Sequence, residues 1–327
     1  MKVSVSLITY NHEAFITQAL EGALMQQTDF AYEIVVGEDG STDRTREIVL
    51  AFQQRHPDKL RLLPSEGNLG MMVNFVRTLQ ACTGEYVALL EGDDYWTDPE
   101  KLQRQADYLD DHPECSTSFH NARTHFEDGS QPPRLYNPPD QQPVSSIEDL
   151  WHNNFMATCS VMFRNGLSRR LPEWFEQMRF GDWPLHILHA QQGAVGYLNR
   201  VMAVYRIHSG GVFGSMSRIR QLTDIIAFYE EMEGLLGAAS GAPIATAKAR
   251  HFLLLAYAHL EAGDAVGARR AFQQALRTKP FARGTEGRAW VHLFLQMYLP
   301  WAAPLASSAH RQIGALYRKL LAARSSG

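Results

Sequence analysis

The chain has 327 residues, a length that suits one large domain or two ordinary ones. Its hydrophobic fraction of 45%, charged fraction of 20% and formal net charge of -4 are typical of a soluble globular protein and give no indication of nucleic-acid binding. The three cysteines, Cys82, Cys115 and Cys159, are scattered and form no CxxC pair. The sequence therefore predicts neither a disulfide framework nor a zinc site, and it favours a reducing compartment.

The first hundred residues alternate between strand-like and helix-like segments. Apolar runs predict strands over residues 3–9, 33–37, 60–63 and 86–90, and helices between them over about 13–27, 43–55 and 69–82. Strands separated by helices of this length are typical of a parallel sheet with right-handed crossovers. A fourth helix is predicted next, with Asp98 as its cap and Pro99 as its first residue.

The rest of the chain changes character twice. Residues 127–147 hold five prolines, a composition that predicts a long loop rather than a strand or helix. Strands are predicted over 158–164 and 194–208, and helices from about 217 to the end. The stretch 256–280 is typical of one tetratricopeptide-type helix pair, and without further copies it does not predict a solenoid. We therefore expect two domains, 1–216 and 217–327.

Short polar loops follow three of the predicted strands. They read TYNHE (9–13), EDGSTD (38–43) and EGDD (91–94), and a fourth polar segment, EGNLG (66–70), precedes the third helix. Ligands bind at the carboxyl ends of the strands in an open parallel sheet. We therefore expect these loops to converge on one ligand site.

Glu91, Asp93 and Asp94 place three carboxylates within four residues at the end of a buried strand. One interpretation is a solvated turn before a helix, stabilised by the helix dipole. The other is a site for a divalent cation, because carboxylate oxygens suit Mg²⁺ or Mn²⁺ and the cation removes the repulsion between them. Such a cation could also hold a diphosphate, and the neighbouring polar loops favour this second interpretation.

In this order and spacing, VSLITYNHEAFITQAL, GEDGSTDRT, NLG and GEYVALLEGDDYW resemble the family-2 nucleotide-sugar glycosyltransferases of the GT-A fold. The resemblance covers about residues 3–212. It implies an α/β fold with a mixed, mostly parallel sheet flanked by helices, here followed by the all-helical C-terminal domain. It implies that the nucleotide-sugar donor is bound by Thr9, Tyr10, Asn11, Glu13, Asp39, Asn68 and Asp93. It further implies that Asp93, Asp94 and His208 hold Mn²⁺ or Mg²⁺. Glu91 stands where the DxD motif of the family usually has its first Asp.

Two later segments extend the resemblance. FGDWPLHILHAQQG (180–193) is similar to the family segment that supplies the catalytic base, usually written Glu-Asp; here Gly181 replaces the Glu and Asp182 remains. The alternative for Asp182 is an N-cap of a helix that begins at Trp183–Pro184. VYRIHSGGVFG (204–214) is similar to the closing segment, in which a His lies near the diphosphate. The alternative for His208 is a surface residue at a strand end.

The resemblance implies a metal-dependent, inverting transferase that moves a sugar from a nucleotide-diphosphate sugar to an acceptor hydroxyl on a glycan, a lipid-linked sugar or another molecule. The Q-x-x-R-W signature of processive synthases is absent, which favours single additions, and surface glycan or polysaccharide assembly is the expected role. We expect a cytoplasmic protein without nucleic-acid partners. Residues 153–163 are expected to line the sugar or acceptor side. The apolar stretch 290–299, followed by Arg311, Arg318, Lys319 and Arg324, is compatible with peripheral contact with the inner face of the membrane.

Two rival functions stay open. A nucleotidyltransferase also joins an α/β sheet to metal-binding carboxylates, but ITYNHEAF lacks the glycines and the basic residue of its usual phosphate loop. A non-catalytic binding or scaffold protein would not need the carboxylates that this chain retains at Asp39, Asp93, Asp94 and Asp182.

Overall fold

The computed structural model describes residues 1–65, 67–167, 170–211, 216–236, 241–279 and 285–298. The chain divides into two compact units. The first contains Met1–Leu150 and Asn154–His208, and the second contains Trp151–Asn153 and the described residues from Ser209 onward. The proposed domain boundary between residues 216 and 217 stays a prediction.

Ten strands in the described part of the chain form one sheet. In chain order they are β1 (Val3–Thr9), β2 (Tyr32–Glu38), β3 (Leu60–Leu62), β4 (Tyr86–Glu91), β5 (Tyr95–Trp96), β6 (Cys115–Phe126), β7 (Arg134–Leu135), β8 (Val144–Ser145), β9 (Met162–Arg164) and β10 (Ala194–Ile207). The helices that accompany them are α1 (Ile16–Leu24), α2 (Thr45–Arg55), α3 (Met71–Ala81), α4 (Lys101–Asp111), α5 (Ile147–His152) and α6 (Asp182–Ala190).

The sheet has the strand order β3-β2-β1-β4-β9-β6-β10-β5, with β7 paired to β6 and β8 paired to β10. Strands β3, β2, β1 and β4 are parallel to one another, and β6 and β10 are parallel to each other. Between these two groups, β9 runs antiparallel to both β4 and β6. Because β9 is antiparallel to both β4 and β6, these two strands run in the same direction, and so does β10. Strands β1, β2, β4 and β10 therefore all end at the same edge of the sheet.

The parallel half of the sheet is buried on both faces, which explains its sequence. Six of the seven residues of β1 are buried, and its apolar members Val3, Val5 and Leu7 are fully covered. Apolar residues of α1, among them Ile16 and Leu20, belong to the same core. Helix-covered parallel strands read as near-continuous apolar runs, so the sequence identified these strands and helices correctly.

In the second half of the sheet, two sequence predictions are wrong and one strand was not predicted at all. The segment 127–147 contains two short strands, β7 and β8. They pair with β6 and β10, because the backbone N–H and C=O groups of these longer strands need hydrogen-bond partners. Over 158–164, a 3₁₀ turn at Thr158–Ser160 precedes β9, so only the second half is a strand. Strand β6 had not been predicted, although it has 12 residues.

The start of α4 differs from the prediction by two residues. The Asp98 carboxylate accepts a hydrogen bond from the Glu100 N–H at 2.9 Å, as a capping residue does. The α-helix itself begins at Lys101, so Pro99 lies in the turn that precedes the helix rather than at its first position.

The second unit is helical wherever it is described. Its helices are α7 (Arg218–Leu236), α8 (Gly241–Glu261), α9 (Ala265–Thr278) and α10 (Thr285–Tyr298). Helices α8 and α9 form the predicted hairpin: Gly263 adopts a positive φ of 77°, and the Asp264 side chain caps α9 by accepting a hydrogen bond from Gly267 N–H at 2.8 Å. Leu254, Ala268 and Phe272 contribute to the core of this unit.

Within the described ranges, every helix is too short or too polar to cross a membrane. The basic residues on which peripheral membrane contact was predicted, Arg311, Arg318, Lys319 and Arg324, lie outside the described residues.

Gly84 lies where β4 approaches β1, and we expect Gly84→Ala to destabilise the fold. An added Cβ would lie 2.5 Å from the Ser4 nitrogen and 2.7 Å from the Val3 carbonyl carbon, which are backbone atoms that cannot move aside. Overpacking of this kind costs about 1–3 kcal/mol of unfolding free energy, measurable by urea denaturation. Gly166→Ala is the control, because no atom lies within 4 Å of the added Cβ. Equal stability of Gly84→Ala and the parent would contradict the close approach.

Candidate active site

The loops that follow β1, β2, β4 and β10 meet at one edge of the sheet. Strand β5 extends this arrangement, because it runs back antiparallel to β10, with Tyr95 opposite Val204. The chain that leaves Glu91 therefore passes directly beside the end of β10. This topology brings Asp93 and Asp94 to Arg206 and His208, more than a hundred residues later in the sequence.

The loops after β1 and β2 are joined by reciprocal hydrogen bonds. Asn11, which has a positive φ of 54°, donates its N–H to the Ser41 hydroxyl at 2.9 Å and accepts from the Thr42 N–H at 2.8 Å. Glu13 accepts from the Arg44 N–H at 3.1 Å and donates its own N–H to the Asp43 carboxylate at 3.0 Å. Asn11 and Glu13 therefore help to fix the wall of the site.

Thr9 and Tyr10 lie beside these loops in different environments. Thr9 is buried at the end of β1, with its hydroxyl 3.3 Å from His12 Nδ1. Tyr10 is 41% exposed, so a broad aromatic face is available to a ligand at this edge.

Asp39 is buried and holds the segment around Asn68. One of its carboxylate oxygens accepts from the Leu69 N–H at 2.8 Å, and the other accepts from the Gly70 N–H at 3.0 Å. The Asn68 side chain also accepts from the Gly70 N–H, at 3.1 Å. Each carboxylate oxygen can accept a further hydrogen bond, so Asp39 can bind a ligand donor while it holds this loop.

Asp93 faces two histidines. Its Oδ2 lies 3.1 Å from His208 Nε2 and 3.7 Å from His12 Nε2. Burial acts to raise the pKa of Asp93, but the hydrogen bond from His208 and the charges of both histidines outweigh it and lower the pKa. Burial lowers the pKa of His12, although the charge of Asp93 acts to raise it. The lowered pKa favours the neutral form of the His12 ring. Asp93 therefore stays ionised beside imidazole groups.

Asp94 has a different environment. Its Oδ1 accepts from the Arg206 N–H at 2.8 Å, whereas its Oδ2 is buried and has no hydrogen-bond partner of standard geometry among the described residues. The weakly polar Cys159 thiol also interacts with this carboxylate. Burial and the charge of Asp93 raise the pKa of Asp94 well above its usual value. An orphaned buried carboxylate oxygen is costly, and it is the kind of atom that a cation would satisfy.

Glu91 connects this group to α6. Its pKa is raised well above the usual value by burial and then by the charges of Asp93, Asp94 and Asp182. Carboxylates from the end of β4 and the start of α6 therefore interact electrostatically at one location. The next helix, α4, begins only at Lys101, and helix-dipole effects fall off within the first turn. That dipole therefore does not explain the cluster.

Asp182 is the first residue of α6, and Gly181 occupies the N-cap position, so the alternative interpretation of Asp182 as the N-cap of this helix does not hold. Its Oδ2 accepts a hydrogen bond of 2.6 Å from the Asn154 side chain. A Cβ at position 181 would lie 2.5 Å from the Phe75 ring and 3.3 Å from the Met72 sulfur. Phe75 therefore occupies the space that a glutamate at 181 would need, and Asp182 is the acid of this segment.

The structure adds residues that the sequence did not single out. His12 contacts Asp93, and the Arg206 guanidinium donates to the Asp93 carbonyl oxygen at 2.6 Å and lies over the Tyr95 ring. A signal for Arg206 was present, because residues two apart on a strand share a face and Arg206 precedes His208 by two. Asn154 had no comparable signal, since its contact with Asp182 spans 28 positions.

The donor atoms at this edge fit a hard divalent cation in part. Carboxylate oxygens are the ligands that Mg²⁺ and Mn²⁺ prefer, and in the described part of the chain Asp94 Oδ2 has no hydrogen-bond partner of standard geometry. Among the described residues, however, no group of three or more His, Cys, Asp or Glu side chains is arranged to hold a metal ion. A cation bound here would need further ligands, such as diphosphate oxygens.

Comparison with solved structures defines the class of the fold. TarS (residues 1–349) from S. aureus in complex with UDP-GlcNAc matches with a TM-score of 0.59 and 19% identity, over 98% of this chain and 92% of that one. The mannosyltransferase PcManGT from Pyrobaculum calidifontis, in complex with GDP-Man and Mn²⁺, matches with a TM-score of 0.64 and 20% identity, over 99% and 84% of the two chains. The predicted GT-A-like fold is confirmed.

Sequence comparison gives the family. The model for Glycosyl transferase family 2 matches residues 4–171. Protein Rv1520 of Mycobacterium tuberculosis is 35% identical over 73% of this chain and 72% of its own length. TuaG of Bacillus subtilis, named for glycosyl transfer in teichuronic acid biosynthesis, is 24% identical over 71% of this chain and 89% of its own length. The chain belongs to glycosyltransferase family 2, and the predicted enzyme class is confirmed.

The raised pKa of Asp94 predicts how the stability of the metal-free protein depends on pH. The folded state binds this proton more tightly than the unfolded state, so the contribution of Asp94 to the unfolding free energy is largest below the unfolded pKa of about 4. It falls as the pH rises toward the folded pKa. Asp94→Asn removes this dependence, so its unfolding free energy should rise relative to that of the parent as the pH increases above about 4.

Urea denaturation in EDTA at several pH values would measure this difference. Asp58→Asn, which removes an exposed carboxylate before β3, is the control and should not reproduce the trend. A difference between Asp94→Asn and the parent that does not change with pH would contradict the raised pKa.

Proposed function

We propose that this family-2 glycosyltransferase is metal-dependent, inverting and non-processive, and that it transfers a sugar from a nucleotide-diphosphate sugar to an acceptor hydroxyl. The observation that supports this most strongly is the grouping of Glu91, Asp93 and Asp94 at the edge where the parallel strands end, with Asp182 near enough for its charge to help raise the pKa of Glu91. Such a cluster suits a reaction that needs both a cation for a diphosphate and a carboxylate base.

The donor would bind across the loops after β1 and β2. We assign the nucleotide and sugar contacts to Thr9, Tyr10, Asn11, Glu13, Asp39, Asn68 and Asp93. The exposed Tyr10 ring offers a stacking surface, and the buried Asp39 carboxylate offers an acceptor to base N–H groups. UDP-GlcNAc and GDP-Man, which are bound in the two structural relatives, are the first donors to test.

Asp93, Asp94 and His208 are the proposed metal ligands. Asp94 would use its unpartnered Oδ2, and Asp93 and His208 would exchange their mutual contact for contacts to the cation. Mn²⁺ or Mg²⁺, when bound, stabilises negative charge that develops on a diphosphate leaving group. PcManGT was solved with Mn²⁺, which supports the choice of ion.

Asp182 is the proposed general base. Its carboxylate would accept the proton of the acceptor hydroxyl while the hydroxyl oxygen bonds to the anomeric carbon from the side opposite the nucleotide. The bond from the anomeric carbon to the diphosphate oxygen breaks, and its electron pair leaves with the nucleoside diphosphate. Attack from the opposite side inverts the anomeric centre. Residues 153–163 would line the sugar or acceptor side, and Asn154 of this segment contacts Asp182.

The cellular role and location are proposals of the same kind. The similarity to TuaG supports assembly of a surface glycan or polysaccharide, with a glycan, a lipid-linked sugar or another hydroxyl compound as acceptor. The described cysteines are free and buried, which supports a cytoplasmic, reducing compartment. The helical residues beyond 216 would serve the acceptor or peripheral membrane contact. The two rival functions do not match the glycosyltransferase family assignment.

The metal assignment predicts the behaviour of Asp94→Asn. This change keeps the shape of the side chain but removes the charge and one ligand oxygen. Affinity for UDP or GDP in Mn²⁺ should fall by about tenfold or more, equivalent to about 1.4 kcal/mol. Affinity in EDTA should hardly change. Titration calorimetry measures both values, with Asp58→Asn as the control for loss of one charge. Equal affinity of Asp94→Asn and the parent in Mn²⁺ would refute the assignment.

The base assignment predicts the behaviour of Asp182→Asn. General base catalysis contributes about 10²–10⁴-fold, so kcat should fall by that factor. Donor and metal affinity should stay near those of the parent, because Asp182 acts on the acceptor. Release of nucleoside diphosphate from UDP-GlcNAc or GDP-mannose measures the rate. Glu176→Gln changes an exposed carboxylate shortly before α6 and should keep full activity. If Asp182→Asn retains most of the rate, another group is the base.

A further inference from the structure

Asn154 lies between the proposed base and a buried histidine. Its side-chain nitrogen donates to Asp182 Oδ2 at 2.6 Å, and its side-chain oxygen lies 3.1 Å from His186 Nδ1. The three side chains form a continuous line from the first turn of α6, through the segment after α5, to the second turn of α6. All three belong to the first unit.

The chemistry of the three groups determines the direction of each hydrogen bond. An ionised Asp182 can only accept, so the Asn154 amide must present its NH₂ group to it. The amide oxygen then faces His186, so Nδ1 of the ring must carry the hydrogen. Burial lowers the pKa of His186 to about 3, so the ring is neutral and has a single N–H. The opposite amide orientation would place a carbonyl oxygen against the Asp182 carboxylate.

Two further contacts fix the backbone around Asp182. The Trp183 indole N–H donates to the Leu150 carbonyl oxygen at 2.8 Å, which ties the start of α6 to the segment that contains Asn154. On the other side, Gly181 packs against Phe75 so closely that a Cβ would overlap its ring. The backbone of Asp182 is therefore fixed, and rotation of its side chain is the freedom that Asn154 removes.

We propose that Asn154 is a positioning residue for Asp182, and that His186 in turn fixes the Asn154 amide. The amide holds one carboxylate oxygen through a short hydrogen bond and so restricts the rotation of the Asp182 side chain. This inference rests on the proposed function, because it presupposes that Asp182 is the base. A misplacement of about 1 Å in a reacting group can reduce a rate by about 10²-fold, so the loss of this contact should be measurable.

Asn154→Ala tests the role directly. With UDP-GlcNAc or GDP-mannose and Mn²⁺, kcat for release of the nucleoside diphosphate should fall by about tenfold to a hundredfold. The KM for the donor and the affinity for UDP or GDP should not change, because Asn154 has no assigned donor contact. His186→Phe removes the donor to the Asn154 oxygen and should lower kcat by a smaller factor. Gln192→Ala is the control, because it truncates an exposed side-chain amide just after α6, outside the segment proposed to line the site.

A thermodynamic cycle tests the contact without any substrate. Asn154→Asp places a second carboxylate at hydrogen-bond distance from Asp182 and should lower Tm at neutral pH. Combining it with Asp182→Asn restores an amide and a carboxylate in exchanged positions, so the double variant should regain Tm but stay inactive. This double variant keeps the test valid if Asn154→Asp alone does not fold.

The outcomes separate this inference from the proposed function. If Asp182→Asn is inactive while Asn154→Ala keeps the parental kcat, Asn154 does not position the base and the inference is wrong, but the base assignment stands. Failure of the exchanged pair to regain Tm would also overturn the inference. Full activity of Asp182→Asn, or no turnover of either donor by the parent, would overturn the base assignment and the inference with it.

Discussion

The repulsion among the carboxylates at the end of β4 is the constraint on which the site depends. Glu91, Asp93 and Asp94 arrive together because a buried strand ends there, and Asp182 adds a fourth carboxyl group to the cluster. Burial raises the free energy of each charged form, so this arrangement is unfavourable without compensation. The surrounding structure compensates only in part: imidazole groups face Asp93, and a backbone N–H meets one oxygen of Asp94. The remaining oxygen of Asp94 has no hydrogen-bond partner of standard geometry among the described residues.

The fold assigns different partners to these acids, and we infer different tasks from them. Asp93 and Asp94 are connected to β10, through His208 and Arg206, because β5 brings the chain back along that strand. Asp182 is connected to Asn154, which in turn contacts His186 in the second turn of α6. The proposed leaving-group side and the proposed acceptor side therefore rest on separate parts of the sheet and its loops. The two sides meet at Glu91, because the charges of Asp93 and Asp94 on one side and of Asp182 on the other all raise its pKa.

The sequence predicted the first half of the sheet well and the second half poorly. The prediction for β1 matches the strand, and those for β2, β3 and β4 differ from the observed ends by one residue, because helix-covered parallel strands are continuous apolar runs with polar ends. Strand β6 escaped detection because it buries polar residues, among them Ser116, Ser118 and His120, and so lacks an apolar pattern. The motif loops indicated the site, but the contacts of Asn154, His12 and Arg206 depend on tertiary structure. In the sequence, Gly181 stands where the family segment has a glutamate. In the structure, the Phe75 ring occupies the space that a glutamate side chain at position 181 would need.

A crystal structure of the protein with Mn²⁺ and UDP or GDP would show whether the unsatisfied carboxylates bind a cation together with a diphosphate. We expect the ion within about 2.0–2.3 Å of Asp94 Oδ2 and of an Asp93 oxygen, lengths near those typical of small divalent cations, with diphosphate oxygens among its other ligands. A nucleotide bound at this edge with no cation and with Asp94 Oδ2 still unpaired would contradict this expectation.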